Sequence, residues 1–94
     1  METMQKVIVT LTNRVGLHAR PAALFVQTAA RFRSNVTVRS LTRDTPPVNA
    51  KAILSVMTLG AEQGHELELV AEGPDEAEAI AALKRLIESR FGEE

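Results

Sequence analysis

Residues 16–22, which read Gly-Leu-His-Ala-Arg-Pro-Ala, bring together several side chains that could do chemistry. His18 stands just before an expected helix start, Arg20 follows two positions later, and Pro21 suits the first helical turn. An imidazole is a nucleophile near neutral pH, and the positive end of a helix favours its neutral form. The free amides of Ala19 and Arg20, together with the Arg20 guanidinium, can bind phosphate oxygens. The segment therefore predicts phosphoryl transfer through His18.

Gly16 and Pro21 are expected to shape this segment rather than to react. A glycine can adopt a positive φ and so turn the chain until His18 faces solvent. A proline lacks the N–H group and fixes φ, which stiffens the helix start. A histidine ahead of a helix is more commonly a plain surface residue, so the functional interpretation depends on Arg20 and Pro21 at these offsets.

Hydrophobic periodicity predicts the elements that must position the segment. Alternation with period two indicates strands, and apolar residues at i, i+3, i+4 and i+7 indicate helices. Gly60 is expected to end a short middle helix, and Asp75 with Glu78 to form a capping box at the last helix. In chain order we expect strand 6–12, helix 19–32, strand 35–39, a loop over 40–47, strand 48–50, helix 52–59, strand 66–72 and a final helix after Asp75.

This order of elements predicts the fold class. Three amphipathic helices need one apolar surface to cover, and a four-stranded sheet with one apolar face supplies it. We therefore expect an α+β open-faced sandwich, with a four-stranded antiparallel sheet, three helices on one face and the order β-α-β-β-α-β-α. Residues 1–94 are expected to form a single domain, without internal repeats or linkers.

Composition excludes several classes of function. The chain has no cysteine, which rules out disulfides, thiol catalysis and cysteine-based zinc sites. A net charge of −1 and only three aromatic residues argue against binding nucleic acid. No signal peptide or membrane-spanning run is visible, so we expect a soluble cytoplasmic protein. His65 is interpreted as a solvated turn residue, and we expect no metal and no cofactor.

Two segments resemble one known family. Residues 16–22 resemble the active-site segment of HPr, the histidine-containing phosphocarrier of the bacterial phosphoenolpyruvate-dependent phosphotransferase system. Residues 48–60, which read Val-Asn-Ala-Lys-Ala-Ile-Leu-Ser-Val-Met-Thr-Leu-Gly, resemble the region around the short middle helix of that family. The length, the element order and the spacing of the two segments also match, and the resemblance covers residues 5–91.

The resemblance implies a complete phosphotransfer cycle. His18 would be phosphorylated on Nδ1 by the phosphohistidine of enzyme I and dephosphorylated by a histidine of an EIIA-type domain, with Arg20 as the phosphate contact. The protein would be a stoichiometric carrier without independent turnover, although such carriers are grouped with the phosphotransferases. It would bind no small-molecule substrate directly, and a monomer is expected. Both partners would dock on an apolar surface formed by Ala23, Ile53, Leu54 and Met57, unless those residues belong to the core.

The chain departs from the family pattern in three places. Ala52 occupies the position where many Gram-positive relatives carry a regulatory serine, so phosphorylation by an HPr kinase is not expected there. A His18→Ala variant treated with such a kinase and ATP should therefore gain no phosphoserine. The loop over residues 40–47 is longer than the usual hairpin, which we interpret as simple length variation. Gln27 and Ala30 stand where relatives often carry lysine, while several arginines could replace that charge: Arg14, Arg31 and Arg33.

Other functions remain open at this stage. The same chemistry could serve sugar uptake, a nitrogen-related regulatory branch or a dihydroxyacetone kinase. A binding module that keeps the fold but lacks phosphotransfer is disfavoured by intact His18, Arg20 and Pro21. A small nucleic-acid-binding α+β domain is disfavoured by the acidic balance and by the lack of sheet aromatics.

Overall fold

The computed structural model describes residues 4–93 of the chain. Four strands and three helices follow one another in the expected order, and a short 3-10 helix follows the last of them. The elements are β1 (Gln5–Thr10), α1 (Ala19–Ala30), β2 (Asn35–Ser40), β3 (Val48–Asn49), α2 (Ile53–Met57), β4 (Glu66–Glu72), α3 (Glu76–Glu88) and the 3-10 helix Arg90–Gly92.

The sheet is antiparallel throughout, with the strand order β1-β4-β2-β3. In register, Val9 pairs with Leu67 and Val38 pairs with Leu69, so apolar residues of neighbouring strands align on one face. Because side chains alternate along a strand, the opposite face carries mainly polar residues. Glu68 on that face forms an ion pair with Arg39, with 3.1 Å between Nε and Oε1.

The core lies between the apolar face of the sheet and the helices. All four residues of the predicted stripe on α3 are buried: Ala79, Ile80, Leu83 and Ile87. On α1, Ala22, Phe25 and Ala29 are buried, while Val26 is half-buried and packs against the core. The predicted α+β open-faced sandwich is thereby confirmed. Among residues 4–93, no helix is long and apolar enough to cross a membrane.

Several element boundaries differ from the sequence prediction. Strand β4 matches the prediction, but α1 stops at Ala30, two residues early, where the Arg31 and Phe32 amides donate to Thr28 and Ala29 in a tighter turn. Helix α2 is five residues long rather than eight, because the amides of residues 59–60 donate to carbonyls three positions earlier instead of four. Gly60 has φ +58°, as a left-handed helix end requires.

The predicted capping box at α3 is wrong. Asp75 occupies the N-cap position, but its side chain makes no capping hydrogen bond, and Glu78 is exposed. The Asp75 carboxylate instead accepts three hydrogen bonds from the turn between α1 and β2. The donors are the Arg33 amide (2.9 Å), the Ser34 amide (2.9 Å) and the Ser34 hydroxyl (2.6 Å). A long-range contact thus replaces the local cap that sequence spacing suggested.

Candidate functional site

Gly16 fixes the approach to the candidate site. Its φ is +63°, and a Cβ at this position would lie 2.4 Å from the Ala61 carbonyl oxygen and 2.6 Å from the Glu62 Cα. The segment before α1 therefore lies directly on the loop before β4. Leu17 continues this contact, since its amide donates to the Ala61 carbonyl at 3.0 Å. Only glycine fits at position 16, because the backbone angle φ is positive and because there is no room for a Cβ atom.

Asn13 closes the loop from the inside. Its side chain is buried, and its Nδ2 group donates to the Gly16 carbonyl at 2.9 Å. The Gly16 amide points back towards the Asn13 carbonyl at 3.4 Å. The residues just before the first helix therefore form a braced turn rather than a free loop.

His18 is exposed at the N-cap position of α1. Its backbone is extended (φ −75°, ψ −175°), and its carbonyl accepts the first helical hydrogen bond from Ala22 at 2.8 Å. The imidazole makes no capping hydrogen bond. The amides of Ala19 and Arg20 precede the first intrahelical donor, so both can bind an anion placed beside the ring.

Arg20 is also exposed, as expected, and none of the ion pairs among residues 4–93 involves it. Pro21 is buried in the first turn, where its missing N–H group costs no helical hydrogen bond. No acidic residue stands in the first turn of α1. A cation at a helix N-terminus that carries no acidic residue in its first turn favours a bound dianion.

Two shallow hollows meet at His18. One is lined by Leu17, Met57, Gly60, Ala61 and Glu62, and the other by Arg14, Val15, Glu62 and Gln63. The first segment and the region around the middle helix are thus brought together, although 25 residues, 23–47, separate them in the sequence. This is the arrangement that a site shared by both motifs requires.

The residues beside His18 that sequence reasoning missed are Val15, Ala61, Glu62 and Gln63. Val15 is 45% exposed, which no periodicity in a turn can predict. Glu62 and Gln63 lie between two glycines with positive φ, Gly60 and Gly64. The two glycines indicate a tight loop in the sequence. That this loop places Glu62 and Gln63 beside His18 depends on the tertiary structure.

Helix α2 divides its apolar residues between core and solvent. Val56 and Leu59 are buried, whereas Ile53 and Met57 are each 39% exposed and Leu54 is 77% exposed. A globular core does not need such exposure, so these three residues are available for a partner. Ala23 on α1 is half-buried, and α1 packs against α2.

Ala52 stands at the N-cap of α2, is half-buried and offers no hydroxyl group. The preceding Lys51 reaches the C-terminal end of α1, where its Nζ donates to the Phe32 carbonyl at 2.8 Å. The long 40–47 loop is closer to the site than its sequence position suggests, because the Arg43 side chain packs beside Gly60.

His65 is not the solvated turn residue that we expected. It is half-buried, and its Nδ1 accepts a hydrogen bond from the Glu62 amide at 3.1 Å. The expectation was wrong because the ring folds back over its own loop. Within residues 4–93 no cluster of three histidine, cysteine or acidic side chains is placed to hold a metal.

Comparison with known proteins agrees with this geometry. The family model for the PTS HPr component phosphorylation site matches residues 5–89. The phosphocarrier protein HPr of Treponema pallidum is 55% identical over 86 residues, which cover 92% of this chain and 94% of that protein. A crystal structure of HPr from Thermoanaerobacter tengcongensis superposes with a TM-score of 0.89 at 54% identity, covering 96% of this chain and 98% of the other. An HPr dimer from the same organism gives a TM-score of 0.74 at 54% identity, covering 95% and 99% of the two chains.

The open-faced sandwich with an exposed histidine at the start of its first helix defines a class of small phosphocarrier proteins. Within that class, this chain belongs to the HPr family of the phosphotransferase system.

Proposed function

We propose that His18 accepts a phosphoryl group from the phosphohistidine of enzyme I, which obtains it from phosphoenolpyruvate, and passes it to a histidine of an EIIA-type protein. In each step the P–N bond to the donor imidazole breaks as a P–N bond to the acceptor forms. The acceptor ring gives up the proton of its other nitrogen, and the donor ring carries a proton on its own other nitrogen, so that both rings end neutral. On this chain the acceptor atom is Nδ1 of His18. The supporting observation is an exposed ring, free of capping contacts, at a helix N-terminus.

Arg20 and the first-turn amides are proposed to hold the phosphoryl oxygens. The amides of Ala19 and Arg20 lie at the helix end that favours negative charge. The exposed Arg20 guanidinium adds a charge-assisted contact. Gly16 and Pro21 keep this platform in place and take no part in bond making.

Both partners are proposed to dock on the exposed apolar residues Ile53, Leu54 and Met57 of α2, together with the half-buried Ala23 of α1. An exposed methionine beside aliphatic side chains can adapt to more than one partner. Sugar uptake is the pathway we propose, and transfer to a sugar-type EIIA protein, measured against a panel of other acceptors, tests this choice.

We propose that the carrier works as a monomer in the cytoplasm. A single exposed site that meets two partners in turn is best served by one free copy, and a chain without cysteine suits a reducing compartment. Light scattering at the concentration of the transfer assay tests the monomer, since one relative has been crystallised as a dimer. A dimer that persists under those conditions would contradict this part of the proposal.

Incubation with phosphoenolpyruvate, magnesium and enzyme I tests the central claim. Intact mass spectrometry should show one added phosphoryl group that is labile in acid and stable in base, and His18→Ala should abolish it. Phosphorylation that survives in His18→Ala, or a wild-type chain that stays unmodified, would refute the assignment.

The same assay tests Arg20. Loss of a charge-assisted contact to phosphate should lower the transfer rate of Arg20→Ala about tenfold or more. The melting temperature should not change, because the side chain is exposed. Arg85→Ala is the control: Arg85 is also exposed, but lies on α3 in a hollow with Thr28 and Leu86. A large loss of thermal stability in Arg20→Ala would show that Arg20 is structural.

A further inference from the structure

His65 occupies a position that neither the fold nor the proposed chemistry explains. The Glu62 amide donates to its Nδ1 at 3.1 Å, and its own amide donates to the Glu62 carbonyl at 3.0 Å. The two residues thus bond to each other twice across the loop before β4. Because Nδ1 accepts an N–H donor, the neutral ring must carry its proton on Nε2.

The loop that His65 closes is tied to the end of β1. The Leu11 amide donates to the His65 carbonyl at 2.9 Å, and the Gly64 amide donates to the Leu11 carbonyl at 2.8 Å. Gln63 adds a third link through its side-chain amide, which donates to the Thr12 carbonyl at 3.1 Å. The His65 side of the loop therefore rests on the sheet.

The other side of the loop supports the His18 segment. Gly16 lies against the Ala61 carbonyl and the Glu62 Cα so closely that no Cβ would fit, and Leu17 hydrogen-bonds to Ala61. Glu62 also lines both hollows beside His18. The Glu62 backbone is consequently held between the His65 ring and the turn that presents the phosphate acceptor.

The geometry points to His65 as a positioning residue for phosphoryl transfer, acting through the Glu62 backbone and Gly16 on the orientation of His18. This inference rests on the proposed function. His65 touches no reacting atom, and its contribution is to keep the supporting loop in one conformation. An unpartnered Glu62 amide would loosen that loop, because a lost hydrogen bond has to be replaced by water.

The test compares two substitutions that differ in one acceptor atom. His65→Leu removes the acceptor, while His65→Asn can keep it, since the Asn Oδ1 follows Cγ as Nδ1 does in histidine. We expect His65→Leu to lower the maximal rate of phosphorylation by enzyme I between about threefold and tenfold. The KM for enzyme I should stay unchanged, because the apolar docking residues are untouched. His65→Asn should restore most of the rate.

Thr42→Val is the matched control. The Thr42 hydroxyl accepts a hydrogen bond from the Glu66 amide at 2.8 Å, so this variant removes a side-chain acceptor from the residue next to His65. Glu66 is the first residue of β4 and lines neither hollow at His18. We expect the transfer rate of Thr42→Val to equal that of the wild type.

Nitrogen NMR of the wild-type chain provides a readout that does not depend on enzyme I. In the neutral form of His65 it should show the proton on Nε2, and exchange of the Glu62 amide should accelerate about tenfold in His65→Leu. A protonated Nδ1 in the neutral ring, a His65→Leu rate equal to the wild type, or a His65→Asn rate as low as that of His65→Leu would overturn the inference. A wild-type chain that enzyme I does not phosphorylate would overturn the proposed function, and this inference with it.

Discussion

At the scale of single residues, the geometry of the candidate site depends on the absence of a side chain at Gly16. Gly16 lacks the Cβ that would strike the Ala61 carbonyl, and this allows His18 to lie beside the loop before β4. Gly64 also has a positive φ, of +90°, but nothing stands within 4 Å of where its Cβ would be. A side chain at position 64 would thus meet only backbone strain, whereas one at position 16 would meet both backbone strain and a steric clash.

This pair leads to a prediction. Gly64→Ala should destabilise the fold by about 1–2 kcal/mol, which is the cost of a left-handed conformation for an L-residue. Gly16→Ala carries the same cost plus a clash with backbone that must move, so we expect a loss of at least about 3 kcal/mol. Urea unfolding of both variants gives the difference. Equal losses would mean that the contact of Gly16 with residues 61–62 does not constrain the chain.

The residues whose placement could be predicted are those placed by the local sequence. Gly16, His18, Arg20 and Pro21 lie in one short segment, and their types alone indicate a turn, a helix start and an anion site. His65 was misread because its partner is set by how a loop folds back on itself. Neither composition nor spacing encodes that contact.

At the scale of elements, the short helix α2 carries apolar residues on both its buried and its exposed side. Val56 is completely buried, while Leu54, two positions earlier, is 77% exposed. Residues two positions apart on a helix point in different directions, so a five-residue helix can face the core and solvent at once. The excess of apolar residues in this segment predicted a surface role, and their exposure agrees with it.

Alanine substitutions at Val56 and Leu54 should have different effects, one on stability and the other on partner binding. Val56→Ala should lower the free energy of unfolding by about 2 kcal/mol through lost burial and a cavity, and leave the KM for enzyme I unchanged. Leu54→Ala should change stability by less than about 0.5 kcal/mol. Its KM should rise about fivefold, because a docking contact is lost. If Leu54→Ala transfers phosphate with wild-type kinetics, Leu54 is not part of the docking surface.

Periodicity predicted the buried faces of the elements better than their ends. The stripe on α3 is buried as expected because its spacing follows the helical repeat directly. The end of α1 was placed two residues late, since Phe32 continues the apolar pattern while its amide already bonds in a tighter turn. A side-chain pattern does not report the hydrogen bonds of a helix terminus.

At the scale of the whole molecule, a set of hydrogen bonds between Asp75 and residues 33–34, here called the Asp75 clasp, joins two turns that are distant in sequence. Asp75, before α3, accepts three hydrogen bonds from Arg33 and Ser34, which lie between α1 and β2. Gly73 packs so closely on Ser34 that a Cβ would lie 2.6 Å from its Cα. The clasp lies near the C-terminal end of α1, whereas His18 stands at the N-terminal end. It should therefore act on stability and not on transfer.

The Asp75 clasp also sets a dependence of stability on pH. The Ser34 hydroxyl, then the Arg33 and Ser34 amides, lower the pKa of Asp75 from 3.8 to about 2. The folded state thus binds this proton less readily than the unfolded state. The contribution of the clasp is complete above the unfolded pKa, near pH 4, and is lost as the pH falls towards 2.

Asp75→Asn should therefore lower the melting temperature by several degrees at pH 7, and the gap to the wild type should close between about pH 4 and pH 2. Phosphoryl transfer well below the melting temperature should be unaffected. Asp44→Asn is the control, because Asp44 is 93% exposed and its ion pair with Arg39 spans 3.7 Å, so its removal should change stability little. If the gap between Asp75→Asn and the wild type stayed constant down to pH 2, the ionised clasp would not be its source. If transfer fell in step with stability, the two ends of α1 would be coupled after all.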